Sequence, residues 1–532
     1  MQIPLGARQR ARSRRRMAAT ALFLLVAAIS VASLPGVTAS AAPGAPHVIG
    51  TFSAGPATVR SLEAAPDVAA PPASAAAPFR PAMPADEFAA AKAAAAAAPA
   101  APRPGAAATA VPAPAGVAAR SRTFIGTGEA TACGACATPD PSIAVGPKNV
   151  VEVVNSTVTV FNKSGAFQKR TSLAALSGYS AEPFRQGRVL YDPLWKRWFI
   201  YAVAEPESAS VQTELLAASQ TSDPRGNYYI LMDNAAGDGG VVDYPMLGMD
   251  QDAVLFTFNV LDATTGAYTS SGAFGVGKVF LYNGLSFGVP VFGGLIGTLA
   301  PPIVLDGSST DYFVAAPPGT NKTALKLYSF DGLGRTPTMK GPFSVTVPSY
   351  GIPRDAHQFN GPDLETGDAR FLGPSTQVGS SLWNTHTVSA NPPTPRFYEI
   401  DTSARTLKQT GKFYASASSD DWNATIVATA AGDAFVSWSS SDPVAFKPVE
   451  ARFTGRASTD PTGAMQPSQA LAITSGVRDT GTAPEPWGRW SGIAIDPSAS
   501  GSCAAGKRAW VMNEAVQGDG SWLTAFGRIG LC

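Results

Sequence analysis

Apolar and polar positions divide this chain into three stretches. Ala18 to Leu34 is one apolar run without a charge. Residues 42–120 are dominated by Ala and Pro, as in Ala94-Ala95-Ala96-Ala97-Ala98-Pro99. From about residue 121 onward, short runs rich in β-branched and aromatic residues alternate with clusters of Gly, Pro, Asn, Asp and Ser. Such runs predict strands joined by turns, and helical periodicity is scarce there.

The strand runs repeat. Each unit has an inner strand, a tight turn with Asp, Pro or Gly, and a second strand of large side chains. The first pairs Ser142–Gly146 with Val150–Asn155, the second Val189–Pro193 with Trp198–Val203, and the third Met246–Asp250 with Ala253–Asn259. The fourth pairs Ile303–Gly307 with Tyr312–Ala315, and the fifth Phe371–Gly373 with Ser381–His386. The sixth pairs Thr425–Thr429 with Ala434–Trp438, and the last Ser491–Pro497 with Arg508–Asn513. A spacing of roughly 50–65 residues predicts an all-β fold, a seven-bladed β-propeller over residues 121–532. The fourth and fifth units are the least regular, so six or eight blades also fit, and a β-sandwich or β-helix competes. Trp522 to Ile529 leaves the final blade one strand short, and Ser121 to Gly126 can supply it, closing the ring and removing open edges.

The start of the chain reads as a signal peptide, residues 1–41. Six arginines between Arg8 and Arg16 precede the apolar run, and Thr38-Ala39-Ser40-Ala41 supplies small residues for cleavage. Ser13-Arg14-Arg15 loosely matches a twin-arginine signal. The expected product is extracellular, with no stable membrane insertion. Residues 42–120 carry too few large apolar side chains to offset ordering entropy and are expected to be a disordered, extended linker, with a short helix over Asp86–Ala98.

A net charge of +1 gives no broad case for nucleic acid, and 52 Gly with 45 Pro suits a turn-rich β protein. A monomer is expected. Four cysteines in an exported chain predict two disulfides. Within the blade scheme Cys503 and Cys532 fall on one face and pair, while Cys133 and Cys136 pair locally on the other.

Several phrases resemble a group of secreted bacterial propeller proteins, mostly of unassigned function and distantly sialidase-like in fold. They are Pro139-Asp140-Pro141-Ser142-Ile143-Ala144-Val145-Gly146-Pro147, Tyr191-Asp192-Pro193-Leu194-Trp195-Lys196-Arg197-Trp198, Leu382-Trp383-Asn384-Thr385-His386-Thr387-Val388 and Trp490-Ser491-Gly492-Ile493-Ala494-Ile495-Asp496-Pro497. The resemblance covers about 125–532 and implies the fold. The repeated Ser-x-Asp-x-Gly-x-Thr-Trp box of sialidases is absent from this sequence.

Metal chemistry has little support, since only His357 and His386 lie in the domain. No cofactor is expected. Calcium is left open by Asp233, Asn234, Asp238 and Asp243, whose spacing does not match an EF-hand. Gly284-Leu285-Ser286-Phe287-Gly288 matches a nucleophile elbow in letters only, because a strand, Val279–Tyr282, precedes it and no helix follows.

Loops entering inner strands and leaving second strands share one propeller face around the channel. Those positions hold Asp140, Arg188, Asp243, Tyr244, Arg370, Trp422, Arg489 and Trp490, and then Asn155, Glu205, Asn259, His386, Asn513 and Glu514. Three arginines suit a carboxylate, and Trp422 and Trp490 suit a sugar face. Glu205, Asp243 and Glu514 are candidate catalytic carboxylates, and His386 with Tyr244 a candidate proton-abstracting pair. The expected function is a secreted module that recognises a glycan or envelope component at the channel mouth. The alternative is a glycoside hydrolase or a uronate-directed polysaccharide lyase.

Overall fold

The computed structural model describes residues 44–67, 79–101, 103, 123–134, 136–237, 239–332, 336–498 and 503–532. The expected signal peptide lies outside them. The chain is nearly all β, built from successive antiparallel four-stranded meanders. The first runs Pro141–Val145, Asn149–Val154, Thr157–Asn162 and Phe167–Ser172. The second is Phe184–Asp192, Arg197–Ala204, Thr213–Ser219 and Asn227–Asn234, and the third Gly240–Met249, Ala253–Asp262, Tyr268–Gly277 and Phe287–Leu295. The fifth is Ser375–Val378, Ser381–Val388, Thr394–Asp401 and Thr406–Lys412, and the sixth Asp420–Ala428, Ala434–Asp442, Lys447–Arg456 and Gln469–Ile473. In the seventh, Gly492–Ile495, Arg508–Val516 and Trp522–Gly530 are followed by Thr123–Gly128, which pairs antiparallel with Phe124 opposite Phe526.

The fourth meander departs from expectation. Its inner strand is split: Leu299–Ala300 pairs with Thr310–Ala315 of its own sheet. Pro302–Val304 instead pairs in parallel with the first strands of the third and fifth meanders. Two consecutive prolines, Pro301 and Pro302, remove two ladder donors at the break. In the fifth, the inner strand is Ser375–Val378 rather than Phe371–Gly373, beginning just after Pro374. The first strand of each meander lies against that of the next, with Pro302–Val304 serving for the fourth, and the seventh returns to the first. A channel runs between them.

Strand chemistry explains the packing. In Arg197–Ala204, Trp198, Ile200 and Ala202 enter the core shared with the first meander. Phe199, Tyr201 and Val203 enter the core shared with the third. The period of two thus feeds two cores, which is why the run is apolar throughout. The recurring Asp at the first hairpin caps its turn: Asp192 Oδ1 accepts from the N–H groups of Leu194 and Trp195, and Asp250 Oδ1 from those of Asp252 and Ala253. Disulfides join Cys133 to Cys136 and Cys503 to Cys532, the pairing expected.

Where it is described, the Ala/Pro-rich region differs from a disordered linker. His47–Ala54 adds a strand to the outer edge of the third meander, and Thr58–Ser61 to that of the second. Backbone pairing with an open edge supplies what few apolar side chains do not, and only Phe52 and Ala54 of the first strand are buried. The helix Ala85–Ala97 is anchored by Lys92, whose Nζ lies 2.6 Å from Asp355 Oδ1 and donates to Thr366 Oγ1 at 2.8 Å. Arg103 donates to the backbone oxygens of Ser419 at 2.8 Å and Pro393 at 3.0 Å.

Candidate binding site at the channel mouth

The first strands of three meanders enter the channel through a bulge with one residue in the left-handed region. Register breaks between Arg185 and Arg188, Asp243 and Met246, and Trp422 and Thr425. The left-handed residues are Gln186 (φ 52°), Tyr244 (φ 55°) and Asn423 (φ 52°). Such backbone costs about 1–3 kcal/mol per residue and re-aims side chains, so its repetition at one end of the channel marks a constructed feature. The bulges interlock neighbouring meanders. Gln186 Nε2 donates to Asp243 Oδ1 at 2.9 Å, and its Oε1 accepts from the Tyr244 N–H at 2.9 Å. Asn423 Nδ2 donates to Gly488 O at 2.6 Å, and Ser491 Oγ donates back to Asn423 O at 2.6 Å.

A column of alternating cations and rings crosses this end. The Arg188 guanidinium lies 3.9 Å from the Trp490 ring centre, Trp490 stacks on Tyr244 at 4.3 Å, and Arg370 lies 4.5 Å from Tyr244. Phe79 continues it, 4.9 Å from Arg370 and 5.5 Å from Arg489. Ring quadrupoles favour the cations between them. Tyr244, Met246, Leu372 and Trp490 form one buried cluster that closes the channel here.

The charges around the column are uneven. Arg370 is held by Asp368 through two 2.7 Å bonds and donates to Arg80 O at 2.7 Å, so it is structurally committed. Asp140 is surrounded by Arg489, Arg188 and Arg185, yet burial still raises its carboxyl above the usual range. Burial also works against the Asp243 carboxylate, but Arg185, Arg80 and the Gln186 bond outweigh it and hold Asp243 below the usual range. Burial lowers Arg188 to about 10, so it stays charged at neutral pH.

Many buried polar atoms here lack aligned partners. Arg185 Nη1 lies 3.1 Å from Glu205 Oε1, but out of line, so all three guanidinium nitrogens are without a hydrogen bond among the described residues. Arg188 Nε and Nη2, Asp140 Oδ1, Tyr244 Oη, Trp490 Nε1, Asn259 Nδ2 and Asn513 Nδ2 are in the same condition. Each such group costs about 1–3 kcal/mol, and a cluster of them calls for a polar ligand or water. Asn259 is the register partner of Asp243. Asn513 Oδ1 accepts from Ser439 Oγ.

Four other expected site residues are engaged within the fold. His386 is fully buried among Tyr350, Phe371 and Tyr398. Both its ring nitrogens are engaged, by Ala369 O at 2.5 Å and Tyr398 Oη at 2.8 Å, and burial lowers it to about 3. It is a neutral core residue and is not paired with Tyr244. Trp422 packs edge-on against Trp487 at 5.8 Å in a closed core and offers no free face. Glu514 accepts from the Gly488 N–H at 2.6 Å, and burial raises it to about 8. Its charged neighbours are Arg478, Glu129 and Glu485, not Asp243. Asn155 holds the Thr138 oxygen and the Asp140 N–H. The residues before Ser286 form a short helix, Lys278–Leu281, rather than the expected strand. Asp238 lies outside the described residues, and among the described residues no His, Cys, Asp and Glu cluster is arranged to hold a metal.

Sequence reasoning missed Arg80, Arg185, Gln186 and Phe79. Phe79 and Arg80 belong to the Ala/Pro-rich region and cover the mouth, where Ala82 N–H donates to Asp368 Oδ2 at 2.8 Å. Beneath Phe79, a cavity of about 10 Å³ remains, bounded by Arg370, Asn423, Trp487 and Arg489, room for one water.

No protein-family model matches the chain, and no curated protein matches it in sequence. Solved structures similar to it include a protein of unknown function from Dyadobacter fermentans, 10% identical, covering 78% of this chain and 99% of the other, with a TM-score of 0.38. An α-L-arabinofuranosidase from Fusarium graminearum is 8% identical over 74% and 93% of the two chains, TM-score 0.36. A Trypanosoma rangeli sialidase in complex with sialic acid is 10% identical over 72% and 59%, TM-score 0.35. These likenesses assign neither family nor activity.

Proposed function

We propose that the chain is a secreted seven-bladed β-propeller, closed by the strand Thr123–Gly128, that binds an acid-bearing glycan at its channel mouth. The observation that carries this reading is the gathering, among the described residues, of buried polar groups without hydrogen bonds at one end of the channel, among them the Arg185 guanidinium, whose close anion is Glu205 at 3.1 Å. A planar guanidinium with free N–H groups matches a carboxylate, and amide and indole donors match sugar hydroxyls. A cavity of about 10 Å³ admits no sugar, so binding requires Phe79 and Arg80 to withdraw from the mouth.

A hydrolytic reading rests on Asp140 and Asp243. Burial, with a smaller part from the Asp243 charge, raises Asp140, while Arg185, Arg80 and the Gln186 bond hold Asp243 down against its burial. A raised and a lowered carboxyl are what an acid and a base require. The test is a calorimetric screen of sialylated, glucuronate-bearing and neutral oligosaccharides, with product analysis of each mixture. Acidic members bind and neutral ones do not, and Arg185→Gln weakens binding at least tenfold. Products that vanish in Asp243→Asn favour hydrolysis. Equal binding of neutral and acidic sugars defeats the acid-bearing ligand.

A further inference from the structure

Below the Tyr244–Trp490 stack the channel changes character. It opens into a cavity of about 500 Å³, the size of a small-molecule site. Its walls are the apolar faces of the first strands, with Val189, Met249, Ile303, Val427, Ile493 and Ile495 among them. Its rim is on the opposite face of the ring, at the hairpins carrying Pro193, Ala430, Ala431 and Ala505, all exposed. Most wall and rim residues are short or branched hydrocarbons, with Ser142, Thr425, Thr429 and Ser491 the small hydroxyl side chains among them, so the interior gives water few partners. Water there is readily displaced by an apolar body.

Two cations line this cavity, and they differ. Lys507, near the rim, is 2.7 Å from Asp433 Oδ2 and is neutralised there. Arg188 lines the closed end and is 94% buried, with 6% exposure. Its Nη1 donates to Pro141 O at 3.3 Å, and its Nε and Nη2 have no hydrogen-bond partner among the described residues. Nε and one Nη form the edge that a carboxylate bridges. Asp140, though nearby, makes no ion pair with it within 4 Å. Arg188 lies five residues along its strand from Pro193 at the rim. At about 3.3 Å per residue the cavity is roughly 16 Å deep, the reach of an extended chain of about a dozen carbons.

We infer that this apolar channel binds a single-chain amphiphilic carboxylate, seated with its carboxylate on Arg188 and its hydrocarbon towards the rim. A neutral hydrocarbon would leave the buried guanidinium edge unpaired, and a compact polar anion would leave the walls uncovered. Glycans are excluded by the same walls, so the inference stands apart from the reading of the polar mouth.

The test uses the full chain with two probes of equal length, dodecanoate and dodecanol, titrated by calorimetry below their aggregation concentrations. The expected result is one dodecanoate bound per chain, with dodecanol at least tenfold weaker. Arg188→Gln removes the difference between the two. Ala431→Trp, on the exposed rim where folding is undisturbed, weakens both by at least tenfold. Equal affinity of the parent for both probes overturns the role of Arg188. No saturable binding of either, or binding untouched by Ala431→Trp, overturns the site.

Discussion

Tyr244 and Trp490 stack at 4.3 Å although one belongs to the third meander and the other precedes the first strand of the seventh. They meet across the channel and divide it into a polar mouth and an apolar shaft. Arg188 bears on the Trp490 ring at 3.9 Å, so one guanidinium borders both compartments. The left-handed backbone serves the stack: φ of 55° at Tyr244 accompanies a ring set over Trp490.

Trp490→Ala therefore does more than remove a side chain. It deletes a buried ring, with 3% exposure, and two cation or ring contacts. The expected loss of stability is about 3–5 kcal/mol, with Trp490→Phe losing less. Urea midpoints of the two variants check it.

Glu514 sets a pH dependence. Burial raises its carboxyl to about 8 from an ordinary 4.5. Between those values the folded chain holds a proton that the unfolded chain releases. The stability this group contributes is thus complete below about 4.5 and is lost as pH rises through about 8. Glu514→Gln keeps an oxygen for the Gly488 N–H and removes the titration. Relative to the parent, the variant gains stability from pH 5 to pH 9, by a few kcal/mol at most. Denaturant midpoints at both pH values measure it.

His386 acts in the opposite direction. Burial lowers it to about 3 from 6.5, so the unfolded chain takes up a proton that the folded chain refuses. Its contribution is complete above about 6.5 and is lost as pH falls towards 3. His386→Ala costs about 2–4 kcal/mol at pH 7.5 by orphaning Ala369 O and Tyr398 Oη, and flattens the acid limb of the stability profile. Ligand binding at the mouth is unchanged, whereas a proton-abstracting histidine would abolish turnover.

The Cys503–Cys532 bridge ties the chain end to the first hairpin of the seventh meander. Replacing both cysteines by serine is expected to cost about 2–4 kcal/mol. Hydrogen exchange should then rise first along Trp522–Gly530 and its partner Thr123–Gly128, the elements that the bridge secures.

The strands were legible because second strands are buried on both faces, so Trp198 to Val203 reads as an unbroken apolar run and Ala434 to Trp438 as one interrupted only by Ser437. The mouth was legible as a place, since Arg188, Tyr244, Arg370, Arg489 and Trp490 do share one column. Its covering was not. His47–Ala54 buries only two side chains, too few to produce alternation in a sequence diluted by alanine and proline. Phe79 gives no local sign that it sits over arginines some 290 and 410 residues away. Arg185 was hidden by the bulge at Gln186, because non-glycine left-handed residues leave no mark in the sequence. His386 and Trp422 occupy mouth-like positions along their strands, but hydrogen bonds and packing turn them inward.

The most direct measurement is titration of a glucuronate-bearing oligosaccharide into four proteins: the parent chain, Phe79→Ala, Arg185→Gln and the double variant. Phe79→Ala is predicted to tighten binding at least tenfold by uncovering the mouth, and Arg185→Gln to remove the gain. Affinity that ignores both substitutions would contradict a carboxylate site at Arg185 in a mouth covered by Phe79.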